Sequence, residues 1–161
     1  MKILFTGASS FTGFWFVKSL AQAGHEVVCP VTGEMENYTG ARRARVETLK
    51  PLCRFVPGSP FGSETFLQLA GAEQFDLLCH HAADLTNYKS ADFDTLRALQ
   101  NNAHKLRSVL DVLQCPTLLT GSVFENDEGA GDEPRRAFSP YGLSKGLTYQ
   151  YFRYYCLEAR L

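Results

Sequence analysis

Thr6-Gly7-Ala8-Ser9-Ser10-Phe11-Thr12-Gly13 is the stretch on which the reading of this chain turns. Before it stands Lys2-Ile3-Leu4-Phe5, short, apolar and β-rich. After it, Phe11 to Ala23 reads as a helix closed by Gly24, a residue suited to a left-handed cap. A strand that passes through a glycine turn directly into a helix is the opening unit of a parallel α/β sheet. In such a unit Gly7 supplies the tight turn and Gly13 the close packing of helix on strand. A pyrophosphate can then rest on the helix N–H groups and the positive end of its dipole, which makes Gly7, Ser9, Ser10, Phe11, Thr12 and Gly13 candidate contacts. The full GxGxxG fingerprint is absent, because only Gly7 and Gly13 are glycines, and no GK[ST] follows to make a Walker loop. The same turn also serves α/β proteins that bind no nucleotide.

Outward from that turn the alternation continues. His25 to Val31, Arg54-Phe55-Val56, Phe75 to His80 and Leu118-Leu119-Thr120 read as further strands. Ala41–Lys50, Ser63–Ala70 and Ala91–Leu113 read as helices between them. A last helix begins at Ser139-Pro140, an N-cap followed by proline at the first helical position, and runs on without a closing strand. Glu125 to Arg136, acidic then basic and rich in glycine, reads as a surface loop. The expected architecture is a doubly wound parallel sheet of five strands in the order 3-2-1-4-5.

The composition agrees with a single domain. The 161 residues are 45% hydrophobic and 20% charged, and 16 basic residues against 17 acidic leave a formal net charge of −1. Nothing in that balance makes a nucleic-acid surface or a polybasic membrane anchor. No apolar run approaches the ~20 residues of a membrane span. Polar Thr6 and Gly7 interrupt the N-terminal apolar run, so it does not read as a signal peptide. Cys29, Cys53, Cys79, Cys115 and Cys156 are odd in number and form no CxxC pair, which argues against a zinc ribbon and for reduced thiols in the cytoplasm. No metal site is expected.

Two further features carry chemistry. Tyr141 and Lys145 stand four apart at the start of the last helix and project from one face. An ammonium beside a phenol favours the phenolate and lowers its pKa toward the range of a general base, although surface Tyr/Lys pairs at this spacing are common. Thr120-Gly121-Ser122 ends strand five, where ligands of open α/β sheets bind. Its hydroxyls can reach a reacting oxygen or merely cap the strand. His25 and His104 have no partner in sequence. His80 reads as satisfied by local hydrogen bonds, and His81 as a packing residue more than a cofactor contact.

In this order the features resemble the extended short-chain dehydrogenase/reductase family, the NAD(P)-dependent nucleotide-sugar epimerases and dehydratases. Its first turn, TGxxGxxG, is matched by Thr6, Gly7 and Gly13, with Ser10 in place of the middle glycine. Its H-x-A-A is matched by His80-His81-Ala82-Ala83, its helical Asn by Asn102, its strand-five hydroxyl by Thr120 and its YxxxK by Tyr141 and Lys145. The resemblance implies an NAD- or NADP-dependent epimerase or ketoreductase that transfers hydride on a nucleotide-activated sugar. Thr120, Tyr141 and Lys145 would be catalytic. Ala82, Ala83, Asn102, Tyr141 and Lys145 would join the turn in holding the cofactor.

The departures shape the expectation. Val31 stands where many NAD-using members carry a ribose-binding acid, and Ser59 where relatives place an adenine-contacting Asp. Arg42, Arg43 and Arg45 follow strand two only at a distance, so NAD and NADP both remain open. Gly121 and Ser122 replace the carboxylate that dehydratases place after the threonine, which favours epimerase or reductase chemistry. Family members continue into a substrate-binding region beyond the helix of Tyr141. Residues 1–161 are therefore expected to be an NAD(P)-binding domain incomplete at its C-terminus, whose alternative role is a dinucleotide-binding module without turnover. The resemblance also implies a homodimer built on the helices that carry Leu99, Leu106, Leu110, Tyr151 and Tyr155.

Overall fold

A computed structural model describes residues 1–125 and 137–159 of the chain. All of the expected loop beyond Glu125 therefore lies outside the described residues. Five strands, β1 (Lys2–Thr6), β2 (Glu26–Pro30), β3 (Arg54–Val56), β4 (Leu77–His80) and β5 (Thr117–Leu119), form one parallel sheet in the order β3-β2-β1-β4-β5. Six helices flank it: α1 (Phe11–Gln22), α2 (Gly40–Leu49), α3 (Glu64–Ala72), α4 (Thr95–Asn102), α5 (Leu106–Leu113) and α6 (Pro140–Glu158). This is the doubly wound, Rossmann-like architecture expected from the alternation.

Alternate residues of the central strand serve opposite layers, as the two-residue period requires. Ile3 and Phe5 pack with Val17 of α1 and Leu49 of α2. Leu4 faces the other layer with Phe66, Leu106, Val109, Leu110 and Phe152. Four helices start on a short polar cap. The side chains of Ser10, Ser63, Asp94 and Ser139 accept the N–H of Gly13, Phe66, Arg97 and Gly142 respectively, an arrangement worth about 1 kcal/mol per cap. Gly24, at φ +85°, closes α1 as expected. Cys29, Cys79 and Cys115 are buried, and all five thiols are free. Among the described residues no helix is long and apolar enough to cross a membrane.

Two sequence expectations need correction. The helix expected over Ala91–Leu113 is two helices, broken between Asn102 and Leu106. The buried ring of His80 lies 2.9 Å from the Asn102 carbonyl through Nε2 and takes that oxygen out of the helical ladder. The N–H of Leu106 turns to Ala103 instead, at 3.2 Å, and Lys105 adopts a left-handed φ of 46°. The second concerns Leu106 and Leu110, expected as apolar surface for a dimer. Leu106 and Leu110 belong to the core, at 2% and 1% exposure, and have no free surface to offer a partner.

Candidate functional site

The C-terminal ends of β1, β2, β4 and β5 open into a cleft of about 580 Å³, within the usual size of a small-molecule site. Ten of the residues selected from the sequence line it: Gly7, Ser9, Ser10, Phe11, Thr12, Ala82, Ala83, Thr120, Tyr141 and Lys145. Gly13 lies behind the turn. Asn102 lines an adjoining hollow and not this cleft; its side chain accepts from the Asp84 N–H at 2.8 Å and donates to Thr148 at 3.4 Å.

The β1–α1 turn is shaped by two glycines. Gly7 sits at φ +85°, and a Cβ there would come within 2.8 Å of the Ala82 nitrogen. A Cβ on Gly13 would meet the Gly7 carbonyl at 2.2 Å, so any larger residue must separate helix from strand. The N–H of Ser10 bonds the Gly7 carbonyl at 3.1 Å, that of Gly13 the Ser10 hydroxyl at 3.0 Å, and that of Phe14 the Ser10 carbonyl at 3.1 Å. The N–H groups of Phe11 and Thr12 have no partner among the described residues. They are helix-start donors in the wall of the cleft, where the dipole favours an anion.

His80 and His81 point to opposite layers. His80 is 1% exposed, stacks on Phe152 at 5.1 Å and touches Phe61 at 4.1 Å. Because the Asn102 carbonyl can only accept, His80 Nε2 carries the proton. Nδ1 therefore accepts from the Thr6 hydroxyl at 2.9 Å, and Thr6 in turn accepts the Ala82 N–H at 3.1 Å. Burial first, and the charge of Lys145 second, lower the His80 pKa to about 3. Its expected structural role is thus met by named bonds. His81 does more than pack. It lines the cleft, lies 3.2 Å from Ser10 Oγ through Nε2 and 3.0 Å from Thr120 Oγ1 through Nδ1, and burial followed by Lys145 lowers its pKa too.

Thr120 follows β5 directly, tied through its N–H to the His80 carbonyl at 3.2 Å. Tyr141 stands edge-on to Tyr88 and Phe93, with centroids 5.5 and 5.8 Å away. Lys145 is 3% exposed, and among the described residues no group hydrogen-bonds its Nζ. Burial lowers its pKa, while the Glu125 carboxylate opposes the shift. The expectation that Lys145 draws the Tyr141 pKa down is corrected here. Burial in the aromatic box raises it above 10, and the Glu125 charge and the Tyr88 phenol push the same way.

Several residues of the site were not selected from the sequence. Tyr88 and Phe93 arrive from the β4–α4 connection, where no periodicity marks them. Gly142 is buried against the turn after β5, and a Cβ there would strike the Phe124 carbonyl at 1.7 Å. The glycine following Tyr141 was the available signal. Thr32, Arg42 and Ser59 line the end of the cleft at β2 and β3. The Ser59 hydroxyl donates to its own chain at Pro57, 3.2 Å away, and Val31, in the position of the ribose-binding acid, is buried. Among the described residues no three His, Cys, Asp or Glu side chains gather to hold a metal.

Comparison with known proteins follows the same lines. Residues 3–161 match the model of the NAD dependent epimerase/dehydratase family. Among solved structures, a UDP-glucose 4-epimerase from Thermotoga maritima, solved with UDP-glucose, superposes with a TM-score of 0.77 at 20% identity. The superposition covers 100% of this chain and 53% of that one. A UDP-glucuronic acid 4-epimerase from Bacillus cereus, solved with UDP-glucuronic acid and NAD, gives 0.74 at 19% identity, covering 100% and 54%. A putative short-chain alcohol dehydrogenase from Burkholderia multivorans gives 0.71 at 20% identity, covering 99% and 78%. The chain thus spans about half the length of the epimerases it matches. No match was found among curated proteins.

Proposed function

We propose, for a chain that belongs to the NAD dependent epimerase/dehydratase family, that it is the cofactor-binding and proton-handling part of an enzyme that reversibly oxidises a hydroxyl of a nucleotide-activated sugar. The observation that carries this reading is convergence: Thr120, Tyr141 and Lys145 line the same cleft as the helix-start N–H groups of Phe11 and Thr12. The UDP-sugars bound by the two epimerases support the substrate class. In this reading the whole of residues 1–161 is one NAD(P)-binding domain.

The groups present fit a dinucleotide. The unpartnered N–H pair suits a pyrophosphate, and the buried ammonium of Lys145 suits ribose hydroxyls. The chemistry that NAD supplies when bound is reversible acceptance of hydride from the carbinol carbon. Tyr141 takes the proton that leaves the same hydroxyl and returns it when the carbonyl is reduced. The phenol form that its raised pKa favours is the donor of the return step, and the forward step uses the phenolate. Lys145, one helical turn away, does not lower that pKa and contributes the ammonium that suits the ribose hydroxyls. Thr120 donates to the reacting oxygen as negative charge develops there. Gly121 and Ser122 stand where dehydratases carry a carboxylate after the threonine, and the nearby Glu125 carboxylate is engaged by the Ser122 N–H, which favours epimerisation or carbonyl reduction over elimination. Asn102 supports the cofactor through the segment it anchors at Asp84, not by direct contact.

The test is a fluorescence titration with NAD followed by Tyr141→Phe in a protein that turns over. Tyr141→Phe should lower turnover by about 10²- to 10⁴-fold and leave NAD affinity nearly unchanged. Wild-type hydride transfer in that variant would overturn the catalytic assignment.

A second reading is a dinucleotide-binding module without turnover. NAD binding without reduction of the nicotinamide by any UDP-hexose would favour it. The free and mostly buried thiols support a reducing, cytoplasmic setting. A homodimer would use the apolar stripe of α6 formed by Leu143, Leu147, Tyr151 and Tyr154, all exposed. Sedimentation should then find dimers that Tyr151→Glu splits into monomers.

A further inference from the structure

A departure from the family pattern meets, in space, a residue at one of its variable positions. Ser10 stands where TGxxGxxG has its middle glycine, and His81 fills the variable position of H-x-A-A. Their side chains lie 3.2 Å apart, Oγ to Nε2, and the other ring nitrogen is 3.0 Å from Thr120 Oγ1. A continuous hydrogen-bonded path therefore runs from the β1–α1 turn to the hydroxyl assigned to the reacting oxygen.

We propose that His81 is a positioning residue, held by Ser10 as its Nδ1–H tautomer so that Thr120 presents its O–H, and not a lone pair, to the reacting oxygen. The inference rests on the function proposed above.

Of the two proton orders open to this path, one serves the chemistry asked of Thr120. The Gly13 N–H donates to Ser10 Oγ at 3.0 Å. The Ser10 proton then has His81 Nε2 as its acceptor. A neutral ring that accepts at Nε2 carries its proton on Nδ1, and that N–H donates to Thr120. The Thr120 proton is left over, on a side chain that lines the cleft. The reverse order would use the Thr120 proton on Nδ1 and turn the Ser10 proton, instead of the Thr120 proton, to the cleft. Thr120 would then meet a developing oxyanion with a lone pair, which repels it.

The ring is held for this task. It packs against Phe5 at 5.8 Å and edge-on to Phe16 at 5.5 Å, which limits its rotation. Burial and the Lys145 charge keep it neutral. The adjacent His80 is fixed in the opposite tautomer by the Asn102 carbonyl. Two consecutive histidines thus carry their protons on different nitrogens, and His80 is a built-in control.

Long-range 15N–1H correlation of the histidine rings tests this on the chain itself at neutral pH, without cofactor. The expected result is Nε2–H for His80 and Nδ1–H for His81. Ser10→Ala should move His81 toward a mixture and leave His80 unchanged. An Nε2–H ring at His81, or a pure Nδ1–H ring in Ser10→Ala, would overturn the proposal. His81→Phe keeps the ring between Phe5 and Phe16 while deleting both bonds. It should leave NAD affinity within about twofold and lower kcat about tenfold at unchanged KM, less than loss of an oxyanion donor itself. His81→Asn, whose amide N–H takes the place of Nδ1–H, should recover part of that loss. Unchanged kcat in His81→Phe would also overturn the assignment. A wild-type chain that binds no NAD would defeat the function proposed above and leave the tautomer result standing.

Discussion

The wall of the cleft formed by the β1–α1 turn is made of backbone, whereas the facing wall, of Thr120, Tyr141 and Lys145, is made of buried and half-buried side chains. In the first wall two glycines bring main chain against main chain, and N–H groups face the cleft. In the second a phenol, an ammonium and a hydroxyl depend on burial and neighbours for their charge state. The first wall should fail abruptly when a single atom is added. The second should fail by degrees and respond to pH and to charge.

The largest effect is expected in the backbone wall. Gly13→Val places carbon where the Gly7 carbonyl lies 2.2 Å from an added Cβ. NAD binding should fall below detection in a titration, and overpacking should cost about 1–3 kcal/mol in urea unfolding. Retained affinity would mean that the turn is structural only.

Next is the pH response beneath the side-chain wall. His80 binds a proton in the unfolded chain below about pH 6.5, but in the folded chain only near pH 3. Unfolding therefore takes up a proton across that window, and stability is lost as pH falls from 6.5 toward 3. A difference of this size corresponds to at most roughly 5 kcal/mol. The lowered His81 pKa acts in the same direction. Urea midpoints measured from pH 7 to 4 should decline, and a flat profile would show that His80 titrates normally.

The smallest effect belongs at the end of β2, on the side of β1 away from β5. Arg42 is exposed and lines the rim with Thr32, and Val31 in place of a ribose-binding acid does not repel a 2′-phosphate. NAD and NADP should bind with affinities within about tenfold. Arg42→Ala should weaken NADP by no more than about fivefold, the worth of an exposed ion pair. A thousandfold preference for either dinucleotide would contradict this account of the rim.

The two walls also differ in how legible they were. Gly7 and Gly13 could be read because a turn of that kind leaves its demand in the residue type itself. Alternation gave the doubly wound class, which other strand orders share, and the order 3-2-1-4-5 went with the family resemblance. The tyrosine–lysine spacing placed both residues in the cleft, but the sign of the Tyr141 shift was not readable. That sign depends on Tyr88, Glu125 and burial, which come from segments distant in sequence. The break between α4 and α5 was hidden for a similar reason. Leu96 to Leu113 keeps its helical apolar period, while the cause of the break is a ring 22 residues earlier that claims one carbonyl. His81 was read as packing because neither neighbour that bonds it is near it in sequence.

The register of β1 bears on how the chain reaches this state. Lys2 pairs with Glu26 on one side, across a short crossover, while Ile3 pairs with Leu77 on the other. The bond from Thr6 to His80 spans 74 residues. Loop closure therefore favours zippering of β1 and β2 first and delays the arrival of β4. Both walls need that late event, because Gly7 meets Ala82 and Ser10 meets His81 only across the β1–β4 seam. A nascent chain can thus hold a formed glycine turn and first helix for some time and still have nowhere to bind a ligand.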